Sequence, residues 1–103
     1  MDYKIVVTQA AHRDLDEAVE YISSTLKNPD AAARLLDRTE ACYEQLRQFP
    51  FLFEACREPR LREIGYRRAV IDSYILIYHP VKREHTVYIM RFFYGGREYE
   101  KLI

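Results

Sequence analysis

The sequence predicts an α+β fold of order β-α-α-β-β-β, a helical hairpin packed on one face of a mostly antiparallel sheet. Three observations predict it. Two segments in the N-terminal half carry apolar residues at helical spacing and are joined by a very short connection. Three apolar runs rich in β-branched and aromatic residues fill the C-terminal half, separated by turn-forming residues. Neither helical stripe is buried unless a sheet face lies against it.

"YKIVVT" (Tyr3 to Thr8) reads as the first strand, and Thr8 is placed to cap the helix after it. From Gln9 to about Leu26 the period changes. Leu15, Ala18, Val19, Ile22 and Leu26 recur at three and four residues, while Arg13, Asp14, Asp16, Glu17 and Glu20 mostly occupy the other side. Asn28 and Pro29 supply helix-start chemistry, an acceptor for orphan amides and a first helical residue that needs no amide of its own. Ala32, Leu35, Leu36, Thr39, Tyr43 and Leu46 form the face of the second helix, which Pro50 helps to end. The short "KNP" connection makes the two helices antiparallel neighbours. Leu15, Val19, Ile22, Leu35, Leu36 and Leu46 are the expected hairpin core.

Residues 51–60, "FLFEACREPR", have no clean period and read as a loop, with Phe51 and Phe53 covering the hairpin. Tyr66 to Ile71 is the second strand and Asp72-Ser73 a tight turn. Tyr74 to His79 is a central strand, "PVKRE" the next turn, and His85 to Tyr94 the last strand. Strict alternation in that strand puts Thr86, Tyr88, Met90, Phe92 and Tyr94 on one face. His85, Val87, Ile89, Arg91 and Phe93 fall on the other.

The 103 residues, 49% hydrophobic and 31% charged, suit one domain spanning 1–103. No uncharged run approaches the about 20 residues of a membrane span. The N terminus leads straight into a strand rather than an apolar leader, so a cytoplasmic protein without membrane association is expected. Cys42 and Cys56 lack a CxxC or metal-ligand spacing and read as reduced thiols. His12, His79 and His85 form no ligand pattern, so neither metal nor cofactor is expected. Sixteen basic residues balance sixteen acidic ones, but unevenly. Residues 1–59 hold seven Lys/Arg against eleven Asp/Glu, a net of −4, and residues 60–103 hold nine against five, a net of +4. The C-terminal half can thus present a basic face to a polyanion or an acidic partner.

Four stretches in order carry a family resemblance: "YKIVVTQAAHRDLDEAVEYI", "LKNPDAAARLLDRTEACYEQL", "GYRRAVIDSYILIYHPV" and "VYIMRFFYGGREY". They resemble the RelE/ParE superfamily of bacterial type II toxin–antitoxin toxins, also known as plasmid stabilisation proteins. The resemblance covers nearly the whole chain and implies the β-α-α-β-β-β fold. It also implies growth inhibition held in check by a cognate antitoxin encoded nearby, and it allows a homodimer. It leaves two activities open. RelE-like members are ribosome-dependent endoribonucleases that cut messenger RNA, and ParE-like members bind DNA gyrase. An inactive relative that only binds its antitoxin is a third reading.

Metal-free RNA cleavage by 2′-hydroxyl attack needs a group that orients or deprotonates the nucleophile, positive charge on the phosphorane, and an acid for the leaving oxygen. Arginine suits the phosphorane, because its planar fork binds phosphate oxygens in pairs. The resemblance implies a phosphate-contacting arginine at Arg67 or Arg68, with Arg67 preferred. If the chain is a nuclease, Arg67, Arg91, Arg97 and Tyr99 are the catalytic candidates, while Arg60, Arg62, Arg68 and Tyr94 are binding candidates. Arg91 stands among apolar residues and needs a partner, either an anion or Glu63 or Asp72. Glu54 and Glu58 are carboxylates placed to act as a base, and His79 is a candidate proton donor. Two departures favour the ParE-like branch or a degenerate toxin over a nuclease. Tyr94 stands where many members have a histidine, and residues 51–63 contain Arg57, Arg60 and Arg62 but no lysine.

Overall fold

A computed structural model describes residues 2–95 of the chain. Strand β1 (Lys4–Val7) leads into α1 (Gln9–Glu20), which a π-helical turn (Tyr21–Thr25) extends. Next come α2 (Pro29–Gln48), a short α3 (Pro59–Ile64), β2 (Arg67–Ile71), β3 (Tyr74–Val81), a 3₁₀ turn (Lys82–Glu84) and β4 (Thr86–Tyr94). The sheet order is β1-β4-β3-β2, parallel between β1 and β4 and antiparallel elsewhere.

The expected caps are in place. Thr8 Oγ1 accepts the Ala11 amide and Asn28 Oδ1 accepts the Ala31 amide, with Pro29 opening α2. The hairpin lies on one sheet face. There Ala11, Leu35, Cys42, Tyr43 and Leu46 bury against Ala69, Ile71, Leu76, Tyr78, Val87, Ile89 and Phe92. Leu15, Val19 and Ile22 are half-buried against the same core. Leu36 is not part of it. Its side chain is 41% exposed, because the buried face of α2 runs through Ala32, Leu35, Thr39 and Leu46, and Leu36 stands one step round the helix from it.

Three further differences from the expectation matter. Residues 59–64 form α3, which starts inside the stretch 51–60 expected to be loop. Glu58 caps this helix by accepting the Arg60 and Leu61 amides, and Gly65 ends it in the left-handed region at φ 107°. Leu61 and Cys56 then cover the opposite sheet face, over Ile75 and Ile77. Phe53 joins the hairpin core, but Phe51 is exposed and meets Tyr3 edge-on. Finally, β4 does not alternate strictly. Ile77 pairs with Arg91 and Tyr78 pairs with Ile89, which leaves Met90 as an extra residue in a β-bulge. The bulge shifts the face pattern by one residue. Val87, Ile89 and Phe92 therefore all reach the hairpin core, while Met90 packs on the other side.

Candidate functional site

The bulge is held from outside the β3–β4 ladder. The Thr8 amide and hydroxyl both donate to the Ile89 carbonyl, at 3.1 and 2.7 Å, and the hydroxyl also lies 3.1 Å from the Met90 carbonyl. Strand β1 stops pairing at Val7, opposite Ile89, so β4 beyond that point has a free edge. Asp14, on the second turn of α1, covers it. Its Oδ2 accepts the Phe92 amide at 3.0 Å and Arg91 Nε at 2.7 Å, and its Oδ1 accepts Arg91 Nη2 at 3.1 Å. This charge-assisted pairing raises the Arg91 pKa further. The partner of Arg91 is thus Asp14, neither Glu63 nor Asp72. Asp72 is taken by Arg38. The Arg91 guanidinium also lies 4.5 Å from the Phe93 ring centre.

Register places Arg68, Ile77 and Arg91 in one transverse row of the sheet. Two strand spacings separate the outer two, about 10 Å. Arg67, one residue on, faces the opposite way. Its Nη1 donates to the Phe53 carbonyl at 2.6 Å and the Phe51 carbonyl at 3.4 Å, and its guanidinium lies 5.0 Å from the Phe51 ring centre. Arg67 thereby fastens the 51–53 segment to β2. Arg68 Nη1 donates to Glu54 Oε1 at 2.8 Å, and its amide donates to the Glu54 carbonyl.

The remaining arginines of this face are engaged as well. Arg62 Nε donates to the Cys56 carbonyl at 3.0 Å, Arg60 lies 3.6 Å from Glu58, and Arg57 lies 4.0 Å from Glu54. Glu54 and Glu58 serve as counter-charge and helix cap. His79 stacks at a tilt on Tyr66, 5.2 Å between ring centres, and its Nε2 would stand 3.2 Å from a Cβ at Gly65. Burial lowers its pKa, so the neutral ring is favoured. Arg97 and Tyr99 lie outside the described residues.

Tyr94 belongs to a different feature, a groove of about 540 Å³ between α1 and the end of β4. Asp14, Glu17, Tyr21 and Leu26 line one side, and Tyr74, Phe92, Phe93 and Tyr94 line the other. Tyr74 stacks on Phe92 and meets Tyr94 edge-on. Neither this groove nor the Asp14 clamp is legible in the sequence. A lone arginine among apolar residues signals that a carboxylate must approach Arg91, but not which one, since Arg91 and Asp14 are 77 residues apart.

Among the described residues no group of His, Cys, Asp and Glu is placed to hold a metal ion, and no helix is long and apolar enough to cross a membrane. Cys42 and Cys56 form no disulfide and are buried in different clusters. No curated protein matches the sequence. Solved structures share its fold, two of them from toxin–antitoxin systems. One is the toxin–antitoxin complex RelBE2 from Mycobacterium tuberculosis, with TM-score 0.64 and 22% identity, covering 91% of this chain and 99% of that one. The other is the chromosomal ParDE toxin–antitoxin system from P. aeruginosa, with TM-score 0.69 and 18% identity, covering 89% and 95%. At sequence level, residues 5–99 match the family model described as the ParE toxin of type II toxin–antitoxin systems, parDE. A match over nearly the whole chain, on a mixed sheet with a helical hairpin across one face, means that this protein belongs to the ParE toxin family.

Proposed function

We propose that this protein is the toxin of a type II module and arrests growth by binding a protein target, DNA gyrase, until a cognate antitoxin sequesters it. One observation carries the choice of protein binding over RNA cleavage. Among the described residues, the arginines that a phosphate-cleaving centre would draw on are committed to internal partners: Arg67 to two carbonyls, Arg68 to Glu54 and Arg91 to Asp14. A guanidinium already holding a carboxylate must give up that pairing before it grips a scissile phosphate. His79, the remaining imidazole candidate, is half-buried against Tyr66 and disfavours its charged form. The ParE family match points the same way, and the toxin–antitoxin setting of both structural relatives supports an antitoxin as partner.

Induced expression without the neighbouring open reading frame tests the proposal. Growth should stop and co-expression of the neighbour should restore it. Purified toxin should inhibit gyrase supercoiling, and primer extension should find no new messenger RNA ends. Ribosome-dependent cuts with unimpaired supercoiling would replace gyrase binding by endoribonuclease action. Absence of growth arrest at full expression would leave an antitoxin-binding module only.

A further inference from the structure

Phe49, Phe51 and Leu52 stand on one turn after α2 and are 59%, 46% and 52% exposed. Pro50 between them is buried, and the Leu52 amide donates to the Phe49 carbonyl at 3.1 Å. Arg67 fixes the turn from β2 through the Phe51 and Phe53 carbonyls. Tyr3 meets the Phe51 ring edge-on at 6.5 Å and also stacks on His85, 4.1 Å between ring centres. The apolar side chains are thus displayed on a supported turn. Clustered apolar exposure of this kind marks an interaction surface.

Charge narrows the occupant. The patch lies at the end of the sheet where β1, β2 and β4 begin and β3 finishes. Lys4 adjoins Tyr3 and donates its amide to the His85 carbonyl, and the Lys82 carbonyl accepts the His85 amide. Among the described residues neither lysine meets a carboxylate, and Arg67 holds carbonyls rather than a carboxylate. The acidic residues close by in sequence are Asp2, Glu54 and Glu84. Glu54 holds Arg68 and Glu84 accepts the Tyr88 hydroxyl, which leaves Asp2 against three cations.

We infer that this end of the sheet docks a segment of a partner protein in which an aspartate or glutamate stands beside bulky apolar residues. The apolar side chains cover Phe49 and Leu52, and the carboxylate meets Lys4, Lys82 or Arg67 at the border of the patch. Three cations set against an aspartate offer a nucleic acid little counterion release, so a protein suits the patch better. The inference rests on the function proposed above and names the surface that grips its target, DNA gyrase. Three apolar side chains on one turn make a small contact, of the scale that a competing protein can undo.

Isotope-labelled protein titrated with the end-blocked peptide Leu-Asp-Phe-Asp-Leu tests the surface, with Leu-Lys-Phe-Lys-Leu as control. Resonances of Phe49, Phe51 and Leu52 should shift with the acidic peptide alone. Phe49→Ala should weaken that binding about 10-fold and Lys82→Glu about 5-fold, as expected for one central aromatic contact and one exposed charge. Both side chains are exposed, so the folded spectrum of each variant serves as the control. Equal binding of the two peptides, or shifts centred away from residues 49–52, overturns the inference. So does tighter binding of oligothymidine than of the acidic peptide, since nucleic acid would then be the occupant. Patch shifts that track protein concentration without peptide also overturn it, in favour of a second copy. With purified gyrase, Phe49→Ala and Lys82→Glu should each lower affinity at least about 5-fold, while Leu36→Ala, exposed elsewhere on α2, should not. Unchanged affinity in both patch variants refutes this surface as the gyrase contact. A wild type that does not bind gyrase counts against the proposed target, and the peptide result then decides the surface by itself.

Discussion

Removing the Asp14 carboxylate should destabilise the fold more than removing the arginine it holds. Asp14 is 13% exposed and Arg91 29%, so the pair lies between a surface and a buried ion pair. Asp14→Ala leaves the Phe92 amide without its acceptor, at about 1–3 kcal/mol. It also strips Arg91 of its counter-charge, for which exposed pairs give about 1 kcal/mol and buried ones about 3–5. Together these run from about 2 to about 8 kcal/mol, and the partial exposure of the pair places Asp14→Ala in the lower part, about 2–5 kcal/mol. Arg91→Ala should cost only about 1–2 kcal/mol, because the carboxylate keeps the Phe92 amide and regains water. Asp14→Asn should fall between the two, since its amide oxygen still accepts from the backbone. The chain has no tryptophan, so urea unfolding is followed by circular dichroism. The double variant closes the cycle, with an expected coupling of about 1–2 kcal/mol. A loss below about 1 kcal/mol for Asp14→Ala, or strict additivity with Arg91→Ala, would refute the clamp as a support of β4.

Three further outcomes are expected. Leu46→Ala should cost about 2–5 kcal/mol, because Leu46 is fully buried, while Leu36→Ala should stay within about 0.5 kcal/mol at its exposed position; urea midpoints of the two variants check this. Gly65→Ala should destabilise by about 1–2 kcal/mol, since a Cβ there combines φ 107° with a 3.2 Å approach to His79, and Gly65→Asn should be milder. Stability should fall as pH rises above about 9: burial pushes the Cys42 thiol up to about 11 and the Tyr43 and Tyr78 phenols up to about 12, so the unfolded chain loses these protons first. Thermal melts between about pH 8 and 11 should decline steadily, and the decline should be smaller in Cys42→Ala relative to its own value at the lower pH.

Local chemistry alone determined most of the framework. Thr8 and Asn28-Pro29 are caps whose side chains act within three residues, and the stripes of both helices are local periodicities. These features are therefore legible without knowing where the chain goes next. The strand order and the hairpin on one sheet face are constrained next, because short connections leave amphipathic helices few places to go. Four features waited for tertiary structure. Whether Leu36 is inside depends on which side of the α2 stripe the sheet touches. The bulge at Met90 changes which side chains of β4 share a face, and the contacts that hold it come from Thr8 and Asp14, far away in sequence. The role of an arginine cannot be read from its type, since Arg67, Arg68 and Arg91 differ only in the carbonyl or carboxylate that the fold brings to each. The groove exists because one i→i+5 turn rotates Tyr21 and Leu26 together beside the end of the last strand. Periodicity reports what a segment does to itself, whereas these four depend on contacts between segments, and only the folded chain sets those.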